Sequence, residues 1–347
     1  MKLLVITQRV DKDDENLGAF YYWFEAFASR FESVVIIADG VGNFSLPDNV
    51  EVYSLGKERR HNRIRRIWKF WEFFSEHYAK SDAVFFHMIP EFVIAAAPFT
   101  LSLKGKRVSG LWYAHKSVTP MLRCAEKIVD YIFSSSEAGF RLPSKKILFV
   151  GQAINTSLFR PSRTLHNTDA LRMVSVGRIS PVKNYEAIIR ACALLPQRWG
   201  KKWSLSFIGG PLRKSDEEYM DFLKRYVSER SLDDRIQFMG PRKYSEIPSI
   251  LQSHDMFINV SKTGSLDKAV LEAMSCGLTV IAANEAYKEV LPQKYFLDHT
   301  SPEFLSERIQ MLASEDHPSN ILSAIVGEKH SLEHTIDRIV SALSVKP

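Results

Sequence analysis

Residues 257–284 read FINVSKTGSLDKAVLEAMSCGLTVIAAN, and this stretch decides the fold. An apolar run from Met256 to Val260 breaks into the small polar residues Ser261, Thr263, Gly264 and Ser265. A segment rich in Ala, Leu, Met and Glu follows, then Cys276-Gly277 and a second apolar run from Thr279 to Ala283. The order is strand, loop, helix, strand, with Asp267 or Ser265 near the helix start and Gly277 as its terminator. A βαβ order makes the two strands parallel and puts the loop at the carboxyl end of the first, where open α/β sheets bind ligands.

The loop suits an anion. A helix start presents unpaired backbone N–H groups and the positive end of its dipole, and residues without bulk let a phosphate approach them. Lys262 and Lys268 add charge on either side. Glu272 lies among the apolar Val270, Leu271, Ala273 and Met274. A carboxylate there fills an exposed gap in the stripe or is aimed at a hydrogen-bond donor.

A second junction has matching chemistry. Arg172 to Gly177 reads as a strand, Tyr185 to Leu194 as a helix, and Arg178 and Lys183 flank the loop between them. Both side chains can converge on one anion from the strand's carboxyl edge, Arg as a planar fork and Lys as a point charge. Two more strands end in turns, Leu205 to Ile208 before Gly209-Gly210-Pro211 and Ile236 to Met239 before Gly240-Pro241-Arg242.

The first half repeats the strand pattern at Leu3–Thr7, Val34–Ala38, Glu51–Ser54, Ala83–Phe86, Val108–Tyr113, Asp130–Ser134 and Ile147–Val150. After the first strand, QRVDKDDENLG reads as a long polar loop before a helix from Ala19 to Arg30. Two strands are followed by histidines, His87 and His115. Residues 57–74, KERRHNRIRRIWKFWEFF, are the sharpest change in composition. They form a basic aromatic helix that lies against an anionic membrane surface or grips a lipid pyrophosphate, or a core helix with solvated arginines; positions 67, 70, 71 and 74 have the helical spacing of the second reading.

At 347 residues the chain exceeds what one core serves, so two domains are expected. Its 46 Lys and Arg against 40 Asp and Glu leave a net charge of +6, suited to nucleotides, phospholipid surfaces or pyrophosphate-linked lipids. Cys124, Cys192 and Cys276 lack metal-ligand spacing and point to a reducing compartment. With no signal h-region and no apolar run of spanning length, the expected location is cytoplasmic, at most peripheral on the inner face of a membrane.

The run LEAMSCGLTVIAAN, with Ser261-Lys262-Thr263 before it, resembles the donor-binding segment of retaining GT-B glycosyltransferases of family 4, whose pattern is E-x7-E followed by A-M-A-x-G-x-P-V-I. The resemblance implies an α/β chain with two Rossmann-like domains facing an interdomain cleft. Residues 1–160 would bind the acceptor and residues 168–330 the nucleotide sugar, with Pro161 to Ala170 as the linker and a C-terminal helix at about 331–347 packing back on the first domain. Glu272 matches the Glu that holds the ribose hydroxyls. The family's first Glu falls on Gly264, and Asp267 is the candidate to replace it at the donor sugar. Gly177-Arg178 with Lys183 matches the diphosphate clamp. Gly209 falls in the I-x-G-x-G segment, and Met239 with Arg242 lies at the segment whose backbone reads the nucleobase.

Donor contacts are thus implied for Gly177, Arg178, Lys183, Gly209, Met239, Arg242, Ser261, Thr263, Gly264, Ser265, Leu266 and Glu272. Catalytic roles are implied for His115, Arg178, Lys183 and Asp267, and acceptor contacts for Gly18 and His87. Asp11-Lys12-Asp13 spells a D-x-D string, a metal signature in a different glycosyltransferase fold, but a short string in a polar loop reads better as a mobile loop. No metal, no cofactor and no nucleic-acid partner is expected. The expected activity is retaining transfer of a sugar from a UDP- or GDP-sugar to a glycan or lipid-linked acceptor. The rivals are a sugar-nucleotide epimerase or hydrolase, and a catalytically idle sugar-nucleotide-binding component of a larger complex.

Overall fold

A computed structural model describes residues 1–15, 17–102, 107–161, 170–195, 202–261, 264–315 and 319–345. The chain divides into two compact units. One comprises Met1–Ala153, Lys243–Ser245 and Lys329–Pro347, the other Ile154–Arg242 and Glu246–Glu328. The division falls between Ala153 and Ile154, ahead of the polar Pro161 to Ala170 stretch, of which residues 162–169 lie outside the described residues.

The first unit holds strands β1 (Lys2–Val10), β2 (Ser33–Val41), β3 (Val50–Ser54), β4 (Ala83–His87), β5 (Val108–Trp112), β6 (Tyr131–Ser134) and β7 (Ile147–Phe149). They form one parallel sheet in the order β3-β2-β1-β4-β5-β6-β7. Its strands are continuous apolar runs because helices cover both faces. On one face Phe24, Phe27 and Trp23 pack with Ile336, Ile339 and Leu343 of the helix Leu332–Leu343. On the other, Phe70, Phe74 and Tyr78 pack with Val93 and Leu122.

Gln8, Arg9 and Val10 extend β1, where the sequence suggests a loop. Arg9 aligns with Gly40 and Val10 with Val41, so pairing to the long β2 overrides their polarity. The D-x-D segment beyond it is anchored rather than mobile. Asp11 is 9% exposed and accepts from Arg9 Nη2 (2.7 Å), Asp13 N (3.1 Å) and Asn43 N (3.2 Å).

The second unit holds β8 (Ala170–Val176), β9 (Lys202–Ile208), β10 (Ile236–Gly240), β11 (Met256–Asn259) and β12 (Thr279–Ala282). They too form a parallel sheet, in the order β10-β9-β8-β11-β12. Each sheet reverses its order once, between β1 and β4 in the first unit and between β8 and β11 in the second. Such reversals leave a crevice at the carboxyl ends of the strands, because consecutive crossovers depart to opposite faces there. The helix Lys268–Ser275 links β11 to β12 and ends as its sequence implies, with Gly277 at φ 81°. No helix of the described residues is long and apolar enough to cross a membrane.

Candidate functional site

The carboxyl edge of the second sheet is shaped by glycine. Gly177, Gly209 and Gly240 close β8, β9 and β10 with φ of 149°, 135° and 72°. Gly177 N donates to Ile208 O and Gly209 N to Gly240 O, both at 2.9 Å. A Cβ on Gly209 would lie 2.1 Å from Gly177 O, so no larger residue lets these turns nest. Buried Tyr185 donates its hydroxyl to Gly177 O at 3.0 Å and steadies the first turn.

At the crevice between β8 and β11 two loops meet through one carboxylate. Lys183 ends the short helical turn Pro181–Lys183, and Asn184 follows in the left-handed conformation. Lys183 Nζ donates to Asp267 Oδ2 at 2.7 Å, with the two side chains 15% and 17% exposed. The same oxygen accepts from Asn259 Nδ2 (2.9 Å) and Ser261 Oγ (3.1 Å). The sequence resemblance turns Asp267 toward the donor sugar; the structure has it fixing the Lys183 ammonium at the switch point. Arg178 leaves the same turn as Gly177, and its Nε is buried with no hydrogen-bond partner among the described residues. Such a group calls for an acceptor.

The loop after β11 is braced from below. Ser261 N donates to Asn259 Oδ1 (3.0 Å), Asn284 Nδ2 to Ser265 O (2.7 Å) and Tyr287 Oη to Asp267 O (2.7 Å). Leu266 is buried and Gly264 turns at φ 69°. Lys262 and Thr263 lie outside the described residues. Asp267 is extended at the N-cap of Lys268–Ser275 but makes no side-chain capping bond, since its carboxylate serves Lys183. Glu272, one turn on from Lys268, is 4% exposed. Burial pushes the Lys268 ammonium down to about 8 against the upward pull of the Glu272 carboxylate. Burial, helped by the same carboxylate, pushes the Cys276 thiol up to about 12, which leaves it inert as a nucleophile. Met239 is 41% exposed and Arg242 half-buried beyond β10.

The structure therefore brings Gly177, Lys183, Asp267 and Ser261 to one crevice. Asn259, Asn284 and Tyr287 were not singled out from the sequence. Asn259 had a readable signal, a lone amide closing an otherwise apolar strand.

In the first unit, His115 is exposed after β5, its Nδ1 accepting from Ser117 N at 3.1 Å. His87 is 3% exposed, with Nδ1 3.2 Å from Thr7 Oγ1 across the β1–β4 switch point and its ring 4.0 Å from that of Phe20. Gly18 is buried, and a Cβ there would lie 2.9 Å from Tyr244 Cβ. Gly18 and His87 are thus packed residues, and His115 alone of the three is open to solvent. Among the described residues no three His, Cys, Asp or Glu side chains cluster as metal ligands.

Residues 159–328 match the family described as glycosyl transferases group 1. A phosphatidylinositol N-acetylglucosaminyltransferase component from Arabidopsis thaliana is 28% identical over 156 residues, 44% of this chain and 32% of that protein. The D-inositol 3-phosphate glycosyltransferase of Mycolicibacterium smegmatis is 31% identical over 116 residues, 33% of this chain and 25% of that one. The alignments thus span a third or less of these relatives. Over whole chains the likeness is one of fold. HepE of Anabaena, crystallised with UDP, superposes with a TM-score of 0.75 at 17% identity, covering 99% of this chain and 100% of its own. Sucrose-phosphate synthase of Thermosynechococcus elongatus gives 0.76 at 15% identity and 98% coverage of each chain. By its two parallel sheets and its likeness to these structures the chain has the GT-B fold, and over residues 159–328 its sequence is similar to the glycosyl transferases group 1.

Proposed function

We propose that the chain transfers a sugar from a UDP- or GDP-sugar to a glycan or lipid-linked acceptor with retention of anomeric configuration, at the cytoplasmic face of a membrane. The observation that carries this is the Lys183–Asp267 contact at the β8–β11 switch point, with the neighbouring Arg178 Nε buried and without a hydrogen-bond partner among the described residues. Departure of a nucleoside diphosphate builds negative charge on its phosphate oxygens, and preorganised cations in a poorly solvated crevice stabilise that charge without reorganising. Lys183, held in place before the donor arrives, and the Arg178 fork supply it. On this reading the turns at Gly177, Gly209 and Gly264 let main chain approach the phosphates, and Glu272 accepts from the ribose hydroxyls. His115, in the first unit, is the candidate to orient the sugar. These cations supply the charge a metal would otherwise bring, so transfer is expected to persist in EDTA.

One observation favours a second reading, a sugar-nucleotide-binding protein without turnover. Position 264 is glycine, and Asp267, the nearest carboxylate in sequence, is engaged by Lys183. Incubating the purified protein with a panel of UDP- and GDP-sugars, with and without membrane lipid extract, separates the two. Sugar incorporated into lipid supports transfer; nucleotide binding without turnover supports the binding protein; free epimerised sugar nucleotide would point to an epimerase instead.

A further inference from the structure

The first unit contains a cavity of about 830 Å³ at the carboxyl edge of its own sheet, near the β1–β4 reversal. Gln8 of β1, Asp39 of β2, Met88 after β4 and Tyr113 after β5 reach it from the sheet. Its side walls are apolar, from Ile67, Phe70 and Trp71 on the helix Arg63–Tyr78 to Phe92, Ile94 and Ala95 on the helix Pro90–Ser102. Trp71 Nε1 donates to Ala95 O at 2.9 Å and ties the two helices together. A volume of this size holds a ligand rather than a few waters.

Charge is divided unevenly between the inside and the mouth. The lining carries Asp39, Glu91, Arg63 and Arg66, of which Glu91 and Arg63 are exposed, and Asp39 is already paired with Arg66 and with Lys57 (3.2 Å). An anion brought inside would meet the buried Asp39 carboxylate, whose cationic partners are already engaged. The rim differs. Arg63 and Arg65 are exposed and form no ion pair among the described residues, while Ile64 (69% exposed), Trp68 (66%) and Met121 (42%) stand out beside them. Arginines interleaved with exposed aliphatic and indole side chains on one helix suit the boundary between lipid headgroups and acyl chains. Ile67 and Met121 belong both to this rim and to the cavity wall, so apolar surface runs unbroken from outside to inside.

We propose that this cavity takes the apolar chain of a single membrane lipid whose phosphate or pyrophosphate head stays at the mouth with Arg63. The inference rests on the reading of the chain as a transferase with a lipid-linked acceptor, and it names that acceptor's chemistry: an amphiphile drawn from an anionic surface. The helix Arg63–Tyr78 then has two tasks. Its outer face rests on the membrane, and its inner face forms a wall of the slot into which one chain slides.

The test is calorimetric titration of the full chain with dioctanoyl phosphatidic acid below its micelle concentration, with glycerol phosphate as the head-only control. Phosphatidic acid binds and glycerol phosphate does not compete. Ala95→Phe fills the slot from within, and Met121→Trp narrows it from the exposed rim, where folding is not at stake. Each weakens binding by about tenfold or more, the effect of losing several buried methylene contacts. Both variants still sediment with vesicles of phosphatidylcholine and phosphatidic acid, whereas Arg63→Glu loses sedimentation and lipid binding together. Unchanged affinity in Ala95→Phe and Met121→Trp, or competition by glycerol phosphate alone, overturns the assignment. Lipid binding by a protein that transfers no sugar sinks the transferase reading and leaves the slot supported. Transfer to lipid without capture of the short-chain probe does the reverse.

Discussion

Replacing Asp267 by alanine tests how the two loops of the second unit are joined. One carboxylate oxygen there accepts from the Lys183 ammonium, the Asn259 amide and the Ser261 hydroxyl, and the last two residues are 4% and 2% exposed. A charged hydrogen bond contributes about 1.5–3 kcal/mol and a buried neutral donor left unpaired costs about 1–3 kcal/mol. The carboxylate is 17% exposed, so water can enter the vacated space and recover part of the loss. The net cost is then about 2–3 kcal/mol, which lowers the melting temperature of a unit this size by about 5–10 °C. Asp267→Asn keeps an acceptor but no charge and falls between wild type and alanine. Thermal unfolding measures this directly. Saturating UDP narrows the gap, because a diphosphate gives the Lys183 ammonium another partner. Transfer falls by about 10- to 100-fold even at saturating donor, since Lys183 is no longer held at the leaving group. UDP affinity does not weaken, because a negative charge has been removed from beside the phosphates. An alanine variant with wild-type melting and wild-type turnover would refute the reasoning.

Glu272→Gln is expected to weaken UDP binding by about tenfold while leaving inorganic pyrophosphate affinity unchanged, because only the nucleotide carries a ribose; equal losses for both ligands would remove the ribose contact. In vesicle sedimentation, Arg63→Glu with Arg65→Glu abolishes binding to anionic vesicles, whereas Arg66→Ala affects folding more than binding because its guanidinium is committed to Asp39. His330 is buried in the first unit, and burial holds its imidazole down to about 4. The unfolded chain takes up that proton near pH 6.5, so stability is full above about 6.5 and declines as pH falls toward 4, by about 2–3 kcal/mol. Urea midpoints measured across that window flatten in His330→Gln if this is right, and keep their slope if other groups dominate.

Much of this architecture could be read from the chain because its carriers are local. Continuous apolar runs mark strands buried on both faces, and Gly177, Gly209, Gly240 and Gly277 stand where positive φ is required. Arg178, Lys183 and Glu272 are readable for the same reason, as polar residues at strand ends or within apolar helices. What binds them together is not local. Lys183 and Asp267 are 84 residues apart, and only the adjacency of β8 and β11 makes them partners. The resemblance placed Asp267 by its spacing from an absent Glu, and spacing says nothing of a lysine arriving from another loop. Gln8 and Arg9 misled by composition, since a polar strand end is held by pairing to β2 rather than by its own propensity. The helix at 63–78 has the core face that one of its sequence readings expects, with Phe70, Phe74 and Tyr78 buried, and it leaves Ile64 and Trp68 exposed on the other. The cavity beside it had no sequence signature, for its walls come from segments scattered from Gln8 to Met121.

Calorimetric titration of UDP and GDP into the wild-type chain and into Arg178→Ala with Lys183→Ala tests the central claim, that these two cations at the β8–β11 crevice grip a nucleoside diphosphate. The account predicts binding of one of the two nucleotides by the wild type and a loss of about 100-fold or more in the double variant, whose circular dichroism stays native. Equal affinity in the two proteins would contradict it.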